Sequence, residues 1–448
     1  MILDGVSKIG ILGFGREGLS VYDFLRRDYS DLEIHVFDRR TKDTFAEDLL
    51  EEFENAGVVL HLGEDYLSEL NQVQMLVKSP GVNPRQPEIV RFLGLGGSYT
   101  TATNLFFERV SGKVIGITGS KGKSTTSTLI YECLTASDRQ VFLVGNIGEP
   151  ILNYLELDSP EVFFVVEMSS QQLEDFQGRV DYALFTSFFA DHMDYHGGME
   201  AYVDAKVNLF RNAKLTIYNG DDEVVTQILK SRGVLARSCQ KYGFKFRVLT
   251  DSDYSNSDCS IFLNELPYLS SKDVKLLGSH NLKNMMLVSA LGLELGLDKH
   301  VLQNVFYKFT GLQHRMELFP VNNFHVVNDS SSVTPESTLA CLKAFSSYDR
   351  KILILGGMDR GYDYSILNDA LTDEDQIVVM PNLRDKITLQ LGVNGVHLVD
   401  DLDSAISKAV ELVDDDDLIV FSPGAPSYNM FKNFYERGDE FLKTIKAL

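Results

Sequence analysis

Cysteine is scarce in this chain: among 448 residues there are four, Cys133, Cys239, Cys259 and Cys341, and no two stand in C-x-x-C spacing. That scatter excludes a disulfide framework and a structural zinc finger, and it fits a reducing compartment. Long apolar runs are missing too, since no stretch approaches the ~20 uninterrupted apolar residues of a membrane-spanning helix. Basic residues are in deficit, 42 against 64 acidic ones for a net charge of −22. A surface of that sign repels polyanions, which argues against nucleic acid or an anionic membrane as partner. Low-complexity tracts are absent and hydrophobic residues make up 44% of the chain, so it can bury several cores. The opening MILDGVSKIGILGFG enters a strand-like pattern without a charged leader, which predicts a soluble cytoplasmic protein.

What is present is a chain too long for one core, and the prior of roughly 150 residues per domain suggests about three. Glycine-bounded apolar runs alternate with helix-period segments, the pattern of parallel α/β layers. KIGILGFG (8–15), KVIGITGS (113–120), VFFVVEMSS (162–170), KILILGG (351–357) and DLIVFSPG (417–424) are examples. Three blocks separate, 1–109, 110–309 and 310–448. The run Asp414 to Asp417 lies between a helix pattern and a strand and reads as a solvated turn, and DSDYSNSDCS (251–260) reads as a polar surface loop.

The second block opens with VIGITGSKGKSTTSTLIYECL (114–134), a strand, a glycine-rich turn and an amphipathic helix. Backbone N–H groups from Gly119 through Ser120, Lys121 and Gly122 to Lys123 would cradle a triphosphate at the helix N-terminus. Lys123 would reach the β and γ oxygens, and the Ser124 hydroxyl, followed by Thr125, would ligate Mg²⁺. The spacing matches the shorter T-G-x-x-G-K-S form, because Ile117 stands where a strict Walker A loop has glycine. In the first block GFGREG (Gly13, Gly15, Gly18) follows a strand and Asp38 lies twenty residues beyond its last glycine, as in a dinucleotide-binding fold. The same geometry holds any nucleotide diphosphate. A third string, DHMDYHGGMEAYVDAK (191–206), sets His192 and His196 four apart, as a helical zinc site would. Gly197 and Gly198 break the helix just after the pair, so only His192 stays a ligand candidate.

With these loops in place the remaining strings resemble, in order and along the whole chain, the Mur ligases, the ATP-dependent amide-forming enzymes of peptidoglycan precursor synthesis. They are GNIG (145–148), EMSSQQL (167–173), DHMDYHG, NGDD (219–222), GSHNLKN (278–284), GLQHRME (311–317), NDSSSVTPES (328–337), LGGMDRGYD (355–363) and SPGAPSYNMFKNFYERGDEF (422–441). The last string, together with the short GFGREG block, most resembles the glutamate-adding branch. The resemblance implies three α/β domains: a Rossmann-like N-terminal domain for the uridine diphosphate of UDP-N-acetylmuramoyl-L-alanine, a central P-loop domain for ATP, and a C-terminal dinucleotide-fold domain for the amino acid. It implies D-glutamate as that amino acid, with L-glutamate, or a folylpolyglutamate synthase, as the alternatives. It also implies a monomer and a mechanism in which the substrate carboxylate takes the γ-phosphoryl group before the glutamate amine displaces phosphate.

Residue roles carry over by the same resemblance. Glu167, ending its strand beside the P-loop, His192 and Lys206 would hold two Mg²⁺ ions with Ser124, Lys206 as a carbamate. Lys123, Glu167, His192 and Lys206 form the implied catalytic set. Asn281 and Asn284 would meet adenine, and Arg315 and Asp329 the nucleotide. Gly15, Arg16, Glu17, Asp38, Arg40 and Asn146 would hold the UDP substrate, and Arg360, Ser427 and Phe434 the glutamate side chain. One string departs from the family: N-D-S-K-A-T-N is here Asn328, Asp329, Ser330, Ser331, Ser332, Val333, Thr334. Its lysine is replaced by Ser331 and its threonine by Val333, with Thr334 one residue on.

Overall fold

Continuous apolar strands flanked by amphipathic helices need cover on both faces, which parallel α/β layers supply. In the computed structural model, which describes residues 2–45, 47–248, 259–276, 278–359, 361–392, 395–427 and 429–447, the strands form three large sheets and one small one. The first holds β1 (Lys8–Leu12), β2 (Glu33–Asp38), β3 (Val59–Leu62), β4 (Met75–Lys78) and β5 (Ser98–Thr100) in the order β3-β2-β1-β4-β5, all parallel. In β1 and β2 only the first residue is exposed. Gly18 lets the first helix, Arg16–Asp28, sit against the strand end, since a Cβ there would stand 2.4 Å from the Gly13 carbonyl oxygen.

The second sheet holds β6 (Lys113–Thr118), β7 (Val141–Gly145), β8 (Phe163–Glu167), β9 (Val180–Phe185), β10 (Ala213–Tyr218) and β11 (Arg237–Ser238), ordered β11-β10-β9-β6-β8-β7 and again parallel. A three-stranded sheet follows, β12 (Phe244–Val248), β13 (Cys259–Leu263) and β14 (Leu266–Ser270). The last sheet runs β15-β16-β20-β17-β18-β19. It is built from β15 (Glu317–Val321), β16 (Phe324–Asn328), β17 (Lys351–Leu355), β18 (Gln376–Val379), β19 (Val396–Leu398) and β20 (Leu418–Phe421), and within it the β15–β16 pair is antiparallel.

By contact the chain divides into two compact units, one of Met1–Arg247, Ser260–Leu269 and His280–Phe306, the other of Val248–Cys259, Ser270–Ser279 and Tyr307–Leu448. The first two sheets share a unit because one hydrophobic cluster runs through both, from Ile9, Phe24 and Val36 to Phe106, Phe164 and Val207. Polar bonds join them as well: Ser20 Oγ lies 2.6 Å from Asn153 Oδ1, Asn104 Nδ2 donates to the Asp175 carbonyl at 2.8 Å, and Lys78 Nζ is 3.5 Å from Asp175 Oδ2. The second unit packs separate clusters on the two faces of its sheet.

The aspartate run differs in part from a solvated turn. Asp417 is buried and accepts from Arg350 Nη1 at 2.5 Å, which also bonds Asp414 at 3.0 Å, because a carboxylate held under the edge of β20 needs a cation. The polar loop 251–260 lies, apart from its last two residues, outside the described residues. No helix among the described residues is long and apolar enough to cross a membrane. In the first two sheets the strand order reverses beside a strand whose following loop carries a site string, after β1 and after β6, where parallel sheets open a crevice for ligands.

Candidate active site

The loop after β6 is held by its glycines and by neighbouring segments. Gly122 takes φ +84° as the cap of the helix Lys123–Thr135, and a Cβ there would stand 2.7 Å from Asn284 Oδ1, so only glycine fits both the turn and its neighbour. The segment after β9 braces the loop. Ser120 N donates to the Ser187 carbonyl at 2.8 Å, Lys121 N to Ser187 Oγ at 3.1 Å, and Thr186 Oγ1 to the Lys121 carbonyl at 2.6 Å. Ser120 Oγ donates to the Phe189 carbonyl at 2.9 Å and lies 2.9 Å from Tyr202 Oη. Ser124 is half-buried and Thr125 buried at the start of the helix. Asn281 and Asn284 are both buried on the helix Ser279–Glu294, and Asn284 is brought to the loop.

Two lysines converge on one carbonyl. Lys123 Nζ donates to Gly119 O at 2.8 Å and to Ser120 O at 3.2 Å, and Lys206 Nζ donates to the same Gly119 O at 2.8 Å. Lys206 lies on the helix Met199–Arg211, is 2% exposed, and its ammonium stands 4.7 Å from the Tyr202 ring centroid one turn earlier. Burial, and then the Lys123 charge, bring its pKa down to about 6, against the pull of Asp191 and Glu167. This amine is therefore largely uncharged, and nucleophilic, at neutral pH.

Glu167, the last residue of β8, is 1% exposed. Its Oε1 accepts from Asn146 Nδ2 at 2.8 Å, while the buried Oε2 takes no hydrogen bond from the described residues. An open carboxylate oxygen beside a phosphate loop is a fit for Mg²⁺, which binds through one or two carboxylates and completes its shell with phosphate oxygens and water. His192 is half-exposed, takes a left-handed φ of 53°, and lies 3.8 Å from Asp191 Oδ2. His196 is buried with Nε2 3.0 Å from Ser170 Oγ. Among the described residues no three His, Cys, Asp or Glu side chains converge as a metal cluster.

Asp38, the last residue of β2, reaches the turn after β1: its Oδ2 accepts from Phe14 N at 2.6 Å and its Oδ1 from Arg40 Nε at 3.0 Å, and Arg40 also reaches the Phe14 carbonyl. The carboxylate thus shapes the GFGREG turn, and these bonds hold its pKa down. Gly15 caps the first helix. Arg16 turns to the Gly148 carbonyl at 2.8 Å and to Glu149 at 3.3 Å. Burial raises Glu17 to about pH 7, partly offset by Lys78. Asn146, expected at the UDP substrate, is engaged with Glu167.

In the second unit Asp329 is 1% exposed; Oδ1 accepts from Met316 N at 3.1 Å, and Oδ2 from Ser332 and from Ser422 Oγ at 2.8 Å. Burial nevertheless raises its pKa. Arg315 is exposed, with Nε 3.3 Å from Ser331 Oγ. Ser427 is buried, and Phe434 stacks on Tyr435 at 4.2 Å. Arg360 lies outside the described residues. Sequence reasoning missed Arg437, which is fully buried and donates to Ser330 Oγ and the Ser330, Gly356 and Ala425 carbonyls at 2.7–3.3 Å, tying together the loops after β16, β17 and β20. Its spacing with Phe441 and Ile445 on the buried face of the last helix was the available signal. Tyr202, which locks Ser120, had the same kind of signal, one turn before Lys206.

Parallel α/β layers, a braced phosphate loop and an open buried carboxylate beside it define a P-loop nucleotide-binding protein equipped for metal-assisted phosphoryl chemistry. Residues 7–98 match the Mur ligase MurD-like N-terminal domain, 117–292 the Mur ligase middle domain and 314–424 the Mur ligase glutamate ligase domain. The UDP-N-acetylmuramoylalanine--D-glutamate ligase of Clostridioides difficile (strain 630) is 30% identical over 459 residues, covering 98% of each chain. That of Geobacillus sp. (strain WCH70) is 31% identical over 410 residues, 89% of each. The chain belongs to the Mur ligase family. In fold it is similar to the UDP-N-acetylmuramate-alanine ligase of Thermotoga maritima (TM-score 0.59, 18% identity, 98% and 99% of the two chains) and to the MurF ligase of that organism in complex with ADP (TM-score 0.57, 16% identity, 98% and 94%).

Proposed function

We propose that the chain adds D-glutamate to UDP-N-acetylmuramoyl-L-alanine at the expense of ATP, as a monomer in the cytoplasm, during peptidoglycan precursor synthesis. The observation that carries this reading is the pairing of the phosphate loop with Glu167 and Lys206, in a chain similar along nearly its whole length to relatives that bear that name. Residues 1–109 would take the UDP substrate through Gly15, Arg16, Glu17, Asp38, Arg40 and Asn146. Residues 110–309 would bind ATP through Gly119–Thr125, Asn281 and Asn284. Residues 310–448 would bind glutamate through Arg360, Ser427 and Phe434, with Arg315 and Asp329 serving the nucleotide. Ser124, Glu167, His192 and Lys206 would hold two Mg²⁺ ions, which would supply charge neutralisation when bound.

The chemistry needs carboxylate activation, because oxide is no leaving group and phosphate is. The alanyl carboxylate attacks the γ-phosphorus and ADP leaves; the neutral amine of glutamate then attacks the acyl carbon of the acyl phosphate, and phosphate departs from the tetrahedral intermediate with loss of the amine proton. Lys123 would leave the Gly119 and Ser120 carbonyls for the phosphoryl oxygens, and the loop N–H groups would hold them in line. The neutral Lys206 amine is suited to take up CO₂ with release of a proton, which would convert it to a carboxylate-like ligand and set a negative charge opposite Lys123.

L-glutamate is the second reading, and one departure favours keeping it. Ser331 replaces the family's lysine, and Thr334 is engaged as the cap of the helix Pro335–Ala344, accepting from Ser337 N at 3.4 Å. The D isomer is favoured by the relatives. Folylpolyglutamate synthesis is disfavoured by the MurD-like N-terminal domain. The test is an ¹⁸O-labelled alanyl carboxylate: one label per turnover should appear in released phosphate, and unlabelled phosphate would reject the acyl-phosphate route.

A further inference from the structure

The string DHMDYHGG leaves one histidine without a role. His196 is 3% exposed, and its Nε2 lies 3.0 Å from the oxygen of Ser170, itself 2% exposed. Its Nδ1 stands 4.0 Å from Glu174 Oε1. The partners are informative by position. Ser170 begins the short helix three residues beyond Glu167, a helix closed by a reciprocal cap in which Ser169 Oγ accepts from Gln172 N and Gln172 Oε1 from Ser169 N. His196 ends the one-turn helix that starts after His192, with its own N–H bonded to the His192 carbonyl at 3.1 Å. The His196–Ser170 bond therefore joins the segment behind Glu167 to the segment behind His192.

The ring also packs 5.5 Å from that of Tyr202, whose hydroxyl holds Ser120 of the phosphate loop and whose face meets the Lys206 ammonium. One imidazole thus borders the segments that carry Glu167, His192 and Lys206. It is neutral there, its pKa brought down to about 4 by burial and by Arg85, His192 and Lys206, and neutrality suits a group that must add no charge beside a cation site.

We propose that His196 is a positioning residue that fixes the spacing of Glu167 and His192 through its bond to Ser170, and so sets metal affinity without touching the metal. This rests on the magnesium reading given above. Residues that orient ligands from behind typically change metal affinity by roughly 10–100-fold when replaced, and a bond one step further back belongs at the lower end, about tenfold.

The test is Mn²⁺ binding to the full-length protein with ADP, counted as free Mn²⁺ by electron paramagnetic resonance, alongside the Mg²⁺ dependence of ligation. His196→Phe and Ser170→Ala should each weaken Mn²⁺ by about tenfold, the double variant no more than the worse single one, and His196→Gln, which keeps a polar nitrogen near Ser170, should recover most of the loss. Ligation lost at low Mg²⁺ should return at high Mg²⁺. Wild-type Mn²⁺ affinity in Ser170→Ala would overturn the proposal, whether or not His196→Phe folds, as would additive losses in the double variant. A wild-type protein that binds no Mn²⁺ with ADP would instead overturn the magnesium reading and this inference with it.

Discussion

Replacing Lys206 by methionine should make the first unit more stable while abolishing ligation. The side chain is buried and its pKa falls from 10.5 to about 6 on folding. A lysine whose folded value lies below its unfolded one destabilises the fold in full below the folded value, progressively less as pH rises, and not at all above the unfolded value. At pH 7.5 the unfolded chain carries the proton and the folded chain does not; releasing it over the interval up to the unfolded value costs about 4 kcal/mol. Methionine keeps the apolar stem and has no proton to lose. It also forfeits the hydrogen bond to Gly119, worth about 1 kcal/mol, although Lys123 still donates to that carbonyl at 2.8 Å. The net gain is about 3 kcal/mol at pH 7.5, vanishing near pH 10. The chain has no tryptophan, so urea unfolding should be followed by far-ultraviolet circular dichroism. Buffers free of CO₂ are needed, because a carbamate would relieve the same strain. A variant less stable than wild type at pH 7.5, or a difference constant across this range, would refute the reasoning.

Other perturbations reach the same site from different sides. Gly122→Ala sets a side chain at φ +84° against Asn284 and should weaken ADP binding by roughly tenfold, read by calorimetry, because the turn must open by ~1–2 kcal/mol. Glu167→Gln keeps an oxygen that accepts from Asn146 but removes the charge, so Mg²⁺-dependent turnover should fall by about 100-fold while the metal-free affinity for ADP is kept. Arg437→Lys should destabilise the second unit by about 3 kcal/mol and raise the KM for glutamate, since one ammonium cannot reach the Ser330, Gly356 and Ala425 carbonyls together; unfolding curves and glutamate titrations measure the two effects.

What could be read from the chain was local. The strand, turn and helix around Gly119–Thr125 occupy consecutive residues, and so does the fresh helix that carries Lys206 after the Gly197–Gly198 break. Glu167 falls at a strand end because the apolar run VFFVV stops there. The hidden part is long-range pairing. Nothing in GNIG says that Asn146 will hold Glu167 twenty-one residues on, nor in FYERGDEF that Arg437 will reach Ser330 across the sheet, 107 residues back. Asp417 looked like one member of a solvated run because its partner, Arg350, lies 67 residues away. The three sequence blocks likewise could not disclose that the first two share a continuous core, since that depends on which helix faces meet.

The central claim is D-glutamate ligation, and the most direct measurement is product formation by the purified protein with ATP, Mg²⁺ and UDP-N-acetylmuramoyl-L-alanine, with D-glutamate or L-glutamate as the only amine. The account predicts one phosphate released per amide formed with D-glutamate, and little of either with the L isomer. Product from L-glutamate alone would transfer the account to the other stereoisomer, and equal background with both would contradict it.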